Sequence, residues 1–486
     1  MNFRAVLFVL GNLLLILAIA MVLPLVGALI INEGNQYEKY EVVTFLQTII
    51  GSIVVGLLFR HRYKSYANSV GVREGFAIVS FAWILLSVVG MLPYLLIGVT
   101  DSIVDAFFET MSGFTTTGAT IFPKVEVIPA GLQLWRHMTQ WLGGMGIVVL
   151  SVALLPMLGV GGYRMLKAET PGGVAYERDS AKITDAAKEM WQIYLMFSVT
   201  ECILLIVAGQ TVFDAICHTF TTMSTGGFSP HSESIAFYQS PFVHWIIIVF
   251  MFMAGMNFSL HSMIFQGRFK GIFDNSELRL YFLIMVGLTV LGVFQIGGDF
   301  GIEERIRVVA FQVVSIGTTT GFATYDYDTW PHLMRFVMVL LMFIGGSMGS
   351  TAGGIKVMRF IIFFKSLVRE LHRLIFPHAI RPMRIGEKVI AVHVASNIMA
   401  FGSLFIGAFL LGVVVMTSYG YDIVTASSAS VAALGNIGPG LAKVGPTANW
   451  AHLPDMAKIV MSFLMLLGRL ELYSVILLFT PWLWKR

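Results

Sequence analysis

Charge is what this 486-residue chain has least of: 12% of its residues are Asp, Glu, Lys or Arg, against roughly a quarter in soluble domains. No stretch of 50 residues or more between its apolar runs is polar enough to be a soluble domain. Cysteine is nearly absent, and Cys202 and Cys217 both lie in apolar or half-apolar runs. That pair excludes a disulfide framework and a thiolate metal set. The 11 histidines form no HExxH pattern, and neither paired carboxylates nor a nucleophile elbow appears, which argues against a polytopic membrane enzyme. What remains is apolar. Hydrophobic residues make up 56% of the chain and the mean hydropathy is +0.79, as expected of an integral membrane protein.

Within that background a motif recurs four times. Short apolar runs end in Thr115-Thr116-Thr117-Gly118, Ser224-Thr225-Gly226-Gly227, Thr318-Thr319-Thr320-Gly321 and Gly435-Asn436-Ile437-Gly438. The closing glycines lie 109, 94 and 117 residues apart, so one supersecondary unit is used four times. Each unit reads as a full-length apolar run, a half-length helix, a polar loop and a second full-length run. The half-length pieces are 105–114, 214–223, 307–317 and 422–434; at ~1.5 Å per residue the first covers about half of a hydrocarbon core. The second full-length runs are 130–160, 241–265, 332–364 and 456–483. Two helices, 5–31 and 42–58, precede the repeats, and the first continues its apolar run past the signal-peptidase-like Ala18-Ile19-Ala20. The expected fold is all-α and integral to the membrane, with fourfold pseudo-symmetric helix, pore-helix, helix repeats around one central pore plus the N-terminal helix pair. The boundaries are 1–66 for the pair and 67–165, 166–270, 271–375 and 376–486 for the repeats, giving ten spans.

Basic residues orient the chain. Arg4, the loops at 60–73, 161–188, 266–279 and 356–388, and Lys485-Arg486 hold 23 of the 32 Lys and Arg. This asymmetry places both termini in the cytoplasm and every glycine loop in the outer half of the membrane.

Chemistry follows from that placement. Irregular backbone at membrane depth is tolerated only where protein or a water-filled cavity satisfies it, so four such loops are expected to meet on one axis. The short helices then aim their C-terminal ends, the negative end of the macrodipole, at the membrane centre. Glycine at 118, 227, 321 and 438 permits positive φ, and a ring of carbonyls replaces the water shell of an alkali ion. Thr116, Thr117, Thr225, Thr319 and Thr320 add hydroxyls, and the lack of a carboxylate argues against a divalent-ion site. Asp105 and Asp214, each 13 residues before its glycine, are candidate helix caps, with Asp422 three residues earlier in its repeat and Val308 in the third.

The signatures SGFTTTGAT, STGGFS, TTTGF and GNIGPG, with GGMGI at 143–147, GSMGSTAGGIK at 346–356 and GRLE at 468–471, closely resemble the Trk/Ktr/HKT superfamily of potassium transporters, specifically its bacterial TrkH branch. The resemblance spans essentially the whole chain. It implies potassium uptake across the inner membrane through one filter made of Thr116, Thr117 and Gly118; Thr225, Gly226 and Gly227; Thr319, Thr320 and Gly321; and Asn436, Ile437 and Gly438. Relatives that prefer sodium typically replace the first filter glycine by serine, so Gly118 implies potassium. The resemblance further implies an intramembrane gating loop at 345–355, carrying Gly345, Gly346, Gly349, Gly353 and Gly354, and a pore-facing Arg469. The glycine content alone makes a continuous helix there improbable, each glycine costing about 1 kcal/mol relative to alanine. The family also implies a homodimer in the lipid bilayer, docked to a cytoplasmic TrkA-like nucleotide-binding ring, with K⁺ as cargo and no cofactor or nucleic acid. A sodium-conducting or ion-coupled symporter of the same fold is the alternative.

Other features have plainer readings. GGMGI serves close helix packing, and the near miss to a phosphate loop at 349–356 lacks the GK[ST] ending. Glu201 is either a functional intramembrane carboxylate or a hydrogen-bonding partner of a neighbouring helix. Asn257 and His261 share a helical face, where one His without other ligands reads as packing and not as a metal site, and Glu471 does not face Arg469.

Overall fold

A computed structural model describes residues 1–31, 37–67, 69–153, 180–297, 300–378, 382–385, 388–390 and 392–484. The N-terminal pair forms as expected from its apolar runs, Phe3–Ile30 against Tyr40–Tyr66. The two helices cross where both carry glycine: a Cβ on Gly11 would lie 2.7 Å from the Phe59 Cβ, and one on Gly56 would lie 2.9 Å from the Gly11 carbonyl oxygen. Small residues at such crossings let membrane helices approach closely.

The repeats follow in order. The four pore helices are Ile103–Phe114, Val212–Met223, Ile302–Gly317 and Ile423–Gly435, and their inner turns are buried within the bundle. The fourth is rich in alanine, with Ala426, Ala429, Ala432 and Ala433 fully buried. Large apolar side chains such as Ile50, Val207, Phe294 and Val414 cover the outside of the surrounding helices, the arrangement of a chain whose solvent is lipid. Outside the helices, Met383–Ile385 pairs antiparallel with Lys388–Ile390, a small hairpin that the all-α expectation did not contain.

Six of the ten expected spans are helices long and apolar enough to cross a membrane, among the described residues. The departures lie in the second helix of the repeats. Pro241–Ala254 and Phe258–Phe265 meet at 101°, and Asp455–Arg469 and Tyr473–Phe479 at 115°, which corrects the expectation of continuous helices over 241–265 and 456–483. Each break has a local cause. In the second repeat the Asn257 side chain accepts from Ser259 N at 2.9 Å and restarts the helix. In the fourth, Glu471 and Leu472 take φ of +56° and +55°. In the third repeat His332–Phe343 and Val357–Ile375 are separated by the glycine-rich loop 344–356. In the first repeat Ala130–Ala153 passes through GGMG unbroken, and what was expected of 154–160 lies outside the described residues.

Candidate ion filter and gate

Each pore helix ends in the same turn. Thr117 N donates to Ser112 O and Thr116 N to Gly113 O; the equivalents are Gly226 to Thr221 and Thr225 to Thr222, Thr320 to Ser315 and Thr319 to Ile316, and Ile437 to Ala432 and Asn436 to Ala433, at 2.8–3.3 Å. This is the Schellman pattern, whose penultimate residue must be left-handed and is usually glycine. Here that residue is Thr116, Thr225, Thr319 or Asn436, with φ of +52°, +53°, +59° and +55°. A β-branched residue at positive φ is strained, so the threonines are held there by their surroundings. Two residues later Gly118, Gly227, Gly321 and Gly438 return to positive φ, at +81°, +77°, +83° and +95°.

The four turns close on one another. A Cβ on Gly118 would strike the Gly226 carbonyl oxygen, one on Gly227 that of Thr320, and one on Gly321 that of Ile437; one on Gly438 would lie 2.6 Å from the Thr117 carbonyl oxygen. The contacts run from the first repeat through the fourth and back to the first. The loops above repeat the cycle: Val125 N to Ser232 Oγ at 3.1 Å, Ala236 N to Ala323 O at 3.1 Å, Tyr327 OH to Gly440 O at 2.9 Å and Trp450 N to Thr120 O at 2.8 Å. On the rim, partial burial works against ionisation of Glu126. Bonds from the Ser232 hydroxyl and backbone N–H nevertheless hold its carboxyl below the usual carboxylate range. All four glycines line a vestibule of about 140 Å³.

Beneath the ring sits loop 344–356. Its mouth is closed by Gly345 N to Ile355 O at 3.0 Å and Ile355 N to Phe343 O at 3.1 Å. It rests on the break in the second repeat, through Ser347 N to Gly255 O at 2.8 Å and Phe258 N to Gly349 O at 3.2 Å. Its top reaches the ring: Gly353 N donates to Thr319 Oγ1 at 2.7 Å, and a Cβ on Gly353 would strike the Gly435 carbonyl oxygen. Arg469, 2% exposed, donates from Nη1 to Thr351 O at 2.6 Å and from Nη2 to Gly143 O at 3.0 Å. One guanidinium thus joins the fourth repeat, the loop and the first repeat.

A family model described as TrkH, cation transport protein, matches residues 42–485. The chain belongs to the TrkH family. It is 36% identical to the Trk system potassium uptake protein TrkH of Halomonas elongata and 35% identical to that of Escherichia coli K12, each over all of both chains. The crystal structure of the potassium transporter TrkH from Vibrio parahaemolyticus superposes with a TM-score of 0.90 at 32% identity, covering all of both chains. Membership makes the chain a multi-pass membrane transport protein, not an enzyme.

Some TrkH-family residues stand elsewhere than their sequence suggested. The helix caps are not Asp105 and Asp214 but Ser102 and Thr211, whose hydroxyls accept from Asp105 N at 3.2 Å and Asp214 N at 3.1 Å. Asp422 is itself a cap, accepting from Val424 N and Thr425 N. All three caps stand 16 residues before their glycine, so the apparent offset of Asp422 disappears. Asp105 instead pairs with Lys458 at 2.5 Å, and Asp214 accepts from Tyr238. Asn257 and His261 do not share one helical face, because Asn257 lies in the break; His261 Nε2 bonds with Met253 O at 2.9 Å. Glu201 is fully buried against Thr222 of the facing pore helix, whose hydroxyl donates to His218 O. Glu471 pairs with Arg359 at 2.5 Å. GGMG packs closely, a Cβ on Gly144 lying 2.7 Å from Ser224.

Two supports of the ring went unread in the sequence. Gln140 Nε2 donates to Gly226 O at 2.7 Å while its Oε1 accepts from Phe228 N at 3.1 Å. Glu109 accepts from Arg136 at 2.7 Å, Thr120 Oγ1 at 3.0 Å and Ile121 N at 2.9 Å. Arg136 also donates to Ser229 O at 3.1 Å and lies 3.6 Å from the Phe228 ring centre. The signal was available: Gln133, Arg136, His137, Thr139 and Gln140 crowd one otherwise apolar run, and polar groups inside a membrane segment mark function.

Proposed function

We propose that this chain takes up potassium through a filter formed by the four glycine turns, gated from below by loop 344–356 and Arg469. The observation that carries the reading is the closed cycle of glycine contacts from Gly118 to Gly438 and back. A left-handed residue followed two positions later by a glycine at positive φ recurs in every turn, a backbone suited to presenting successive carbonyls to a dehydrated alkali ion. The pore-helix C-termini add their partial negative charge at the same level, and no carboxylate stands in the turns to trap a divalent ion. Thr116, Thr117, Gly118, Thr225, Gly226, Gly227, Thr319, Thr320, Gly321, Asn436, Ile437 and Gly438 are the assigned ion-binding residues. Retention of Gly118 supports potassium over sodium.

Loop 344–356 blocks the inner exit, and the Arg469 charge repels cations until both move. This reading includes the division into an N-terminal pair and four repeats at 67, 166, 271 and 376, both termini in the cytoplasm of a bacterium, and residence in the inner membrane. It also includes a homodimer and a TrkA-like cytoplasmic partner, as the relatives' designation as parts of a Trk system supports. The test is ⁸⁶Rb⁺ uptake into liposomes carrying the purified chain, with unlabelled cations in competition. Potassium should suppress uptake at concentrations where sodium does not. Equal suppression by sodium removes the potassium reading, and a requirement for a proton or sodium gradient replaces passive uptake with symport.

A further inference from the structure

Loop 344–356 is held from four sides. The break at Gly255, the Arg469 guanidinium and Thr319 of the ring account for three of them. The fourth is a single carboxylate. Glu277 lies in the first turn of Ser276–Gln295, the opening helix of the third repeat, and is 1% exposed. Its Oε1 accepts from Met348 N at 2.8 Å and from Met358 N at 3.1 Å. Met348 belongs to the leg of the loop that leaves His332–Phe343, and Met358 to the first turn of Val357–Ile375, the helix into which the other leg runs. One oxygen therefore ties both legs to a helix outside the loop.

A buried charge at this place has a physical justification. Val357–Ile375 has no side-chain cap of its own, since Lys356 supplies none, and its first N–H groups need acceptors. Glu277 provides one from another helix. The N-terminal ends of both helices, each carrying partial positive charge, converge on the same carboxylate, and hydrogen bonds to a charged acceptor are the strong kind. The ties are also selective. The loop's own closing bonds, Gly345 N to Ile355 O and Val357 N to Gly346 O at 3.2 Å, fix its shape, whereas Glu277 fixes where that shape sits beneath the ring.

We propose that Glu277 is the positioning residue of the intramembrane loop. Its acceptor oxygen locks the loop in the blocking position and couples it to Val357–Ile375, so a displacement of that helix from the cytoplasmic side is passed to the loop. The inference rests on the gate reading above. It is tested with the full chain in liposomes by basal ⁸⁶Rb⁺ efflux and by the Rb⁺-to-Na⁺ ratio, for Glu277→Ala, Glu277→Asp, Glu277→Gln and, in the same preparation, Arg469→Ala. Glu277→Ala loses the acceptor and raises basal efflux about tenfold, the size of a 1.4 kcal/mol change. Glu277→Asp keeps the charge but is one methylene too short to reach both N–H groups, and falls between Ala and the parent. Glu277→Gln keeps an acceptor oxygen at full reach and loses only the charge assistance, so it stays nearer the parent rate than Asp does. The cation ratio stays constant in all three, because the ring is untouched. If Glu277→Ala fails to fold, the order of Asp above Gln still decides. Asp at the parent rate, Gln as leaky as Ala, or a fallen cation ratio overturns the proposal. When Arg469→Ala raises efflux and the Glu277 variants do not, this inference alone fails; when none does, the gate reading falls with it.

Discussion

The ring and the helices crossing beneath it are built from the same four repeats, yet only the ring has kept their symmetry. Above, four Schellman turns share their hydrogen bonds and their left-handed positions to within 7° at the first residue. Below, the second helix of each repeat does something different: it runs on through GGMG, bends by 101°, opens into a loop, or bends by 115°. Coordination of an ion on an axis requires equivalent donors from every side, so divergence there is costly. Blocking a pore requires one obstruction, and a single repeat can supply it once the others yield space. In the proposed function the symmetric layer selects and the asymmetric layer gates.

The sharpest way to break that division is a methyl group in the symmetric layer. Gly98 and Gly118 have nearly the same φ, +83° and +81°, but a Cβ on Gly98 meets nothing within 4 Å whereas one on Gly118 strikes the neighbouring turn. Left-handed strain for alanine costs roughly 1–2 kcal/mol in both. Gly98→Ala should therefore lose only that much stability and keep its flux, while Gly118→Ala should lower ⁸⁶Rb⁺ uptake on the order of a hundredfold (about 2.7 kcal/mol). Comparable flux in the two variants would mean that the ring does not conduct.

A smaller effect of opposite sign is expected from the asymmetric layer. Arg469 donates to Thr351 O and Gly143 O, so under the proposed gate Arg469→Ala removes both a positive charge from the pore and a tie on the loop. Basal efflux should rise about tenfold, with Rb⁺-to-Na⁺ preference unchanged. An unaltered efflux rate would remove Arg469 from the gate.

The two layers also differ in how much of them could be read from the chain. The ring was legible because its residues announce it locally: a polar tripeptide closed by glycine, after a helix too short to cross, four times over. Its strain was not, since threonine is a residue that avoids positive φ, and only the closed ring forces Thr116, Thr225 and Thr319 into it. The loop was legible as a loop from its glycines. The breaks at 255–257 and 470–472 were hidden inside apolar runs, because hydropathy measures depth in lipid and is blind to direction. Clamps such as Gln140 on Gly226, or Glu277 on Met348 and Met358, join residues 71 to 86 positions apart, beyond any local pattern.

The finest distinction lies where the layers touch. Thr116 and Thr319 occupy equivalent left-handed positions, but Thr319 Oγ1 accepts from Gly353 N of the loop at 2.7 Å while Thr116 Oγ1 has no hydrogen-bond partner among the described residues. Valine at either site keeps the β-branched shape and the backbone strain and deletes only the hydroxyl, so the pair isolates one hydrogen bond. Thr319→Val leaves the Gly353 N–H buried without its acceptor, and with a net worth of about 0.5–1.5 kcal/mol for such a bond basal efflux should rise roughly threefold. Thr116→Val removes a filter hydroxyl but no tie to the loop, so it should not raise basal efflux. Equal leaks in the two variants would show that the loop feels the ring as a whole, and the division between a selecting layer and a gating layer would have to be drawn lower, at the loop's closing bonds.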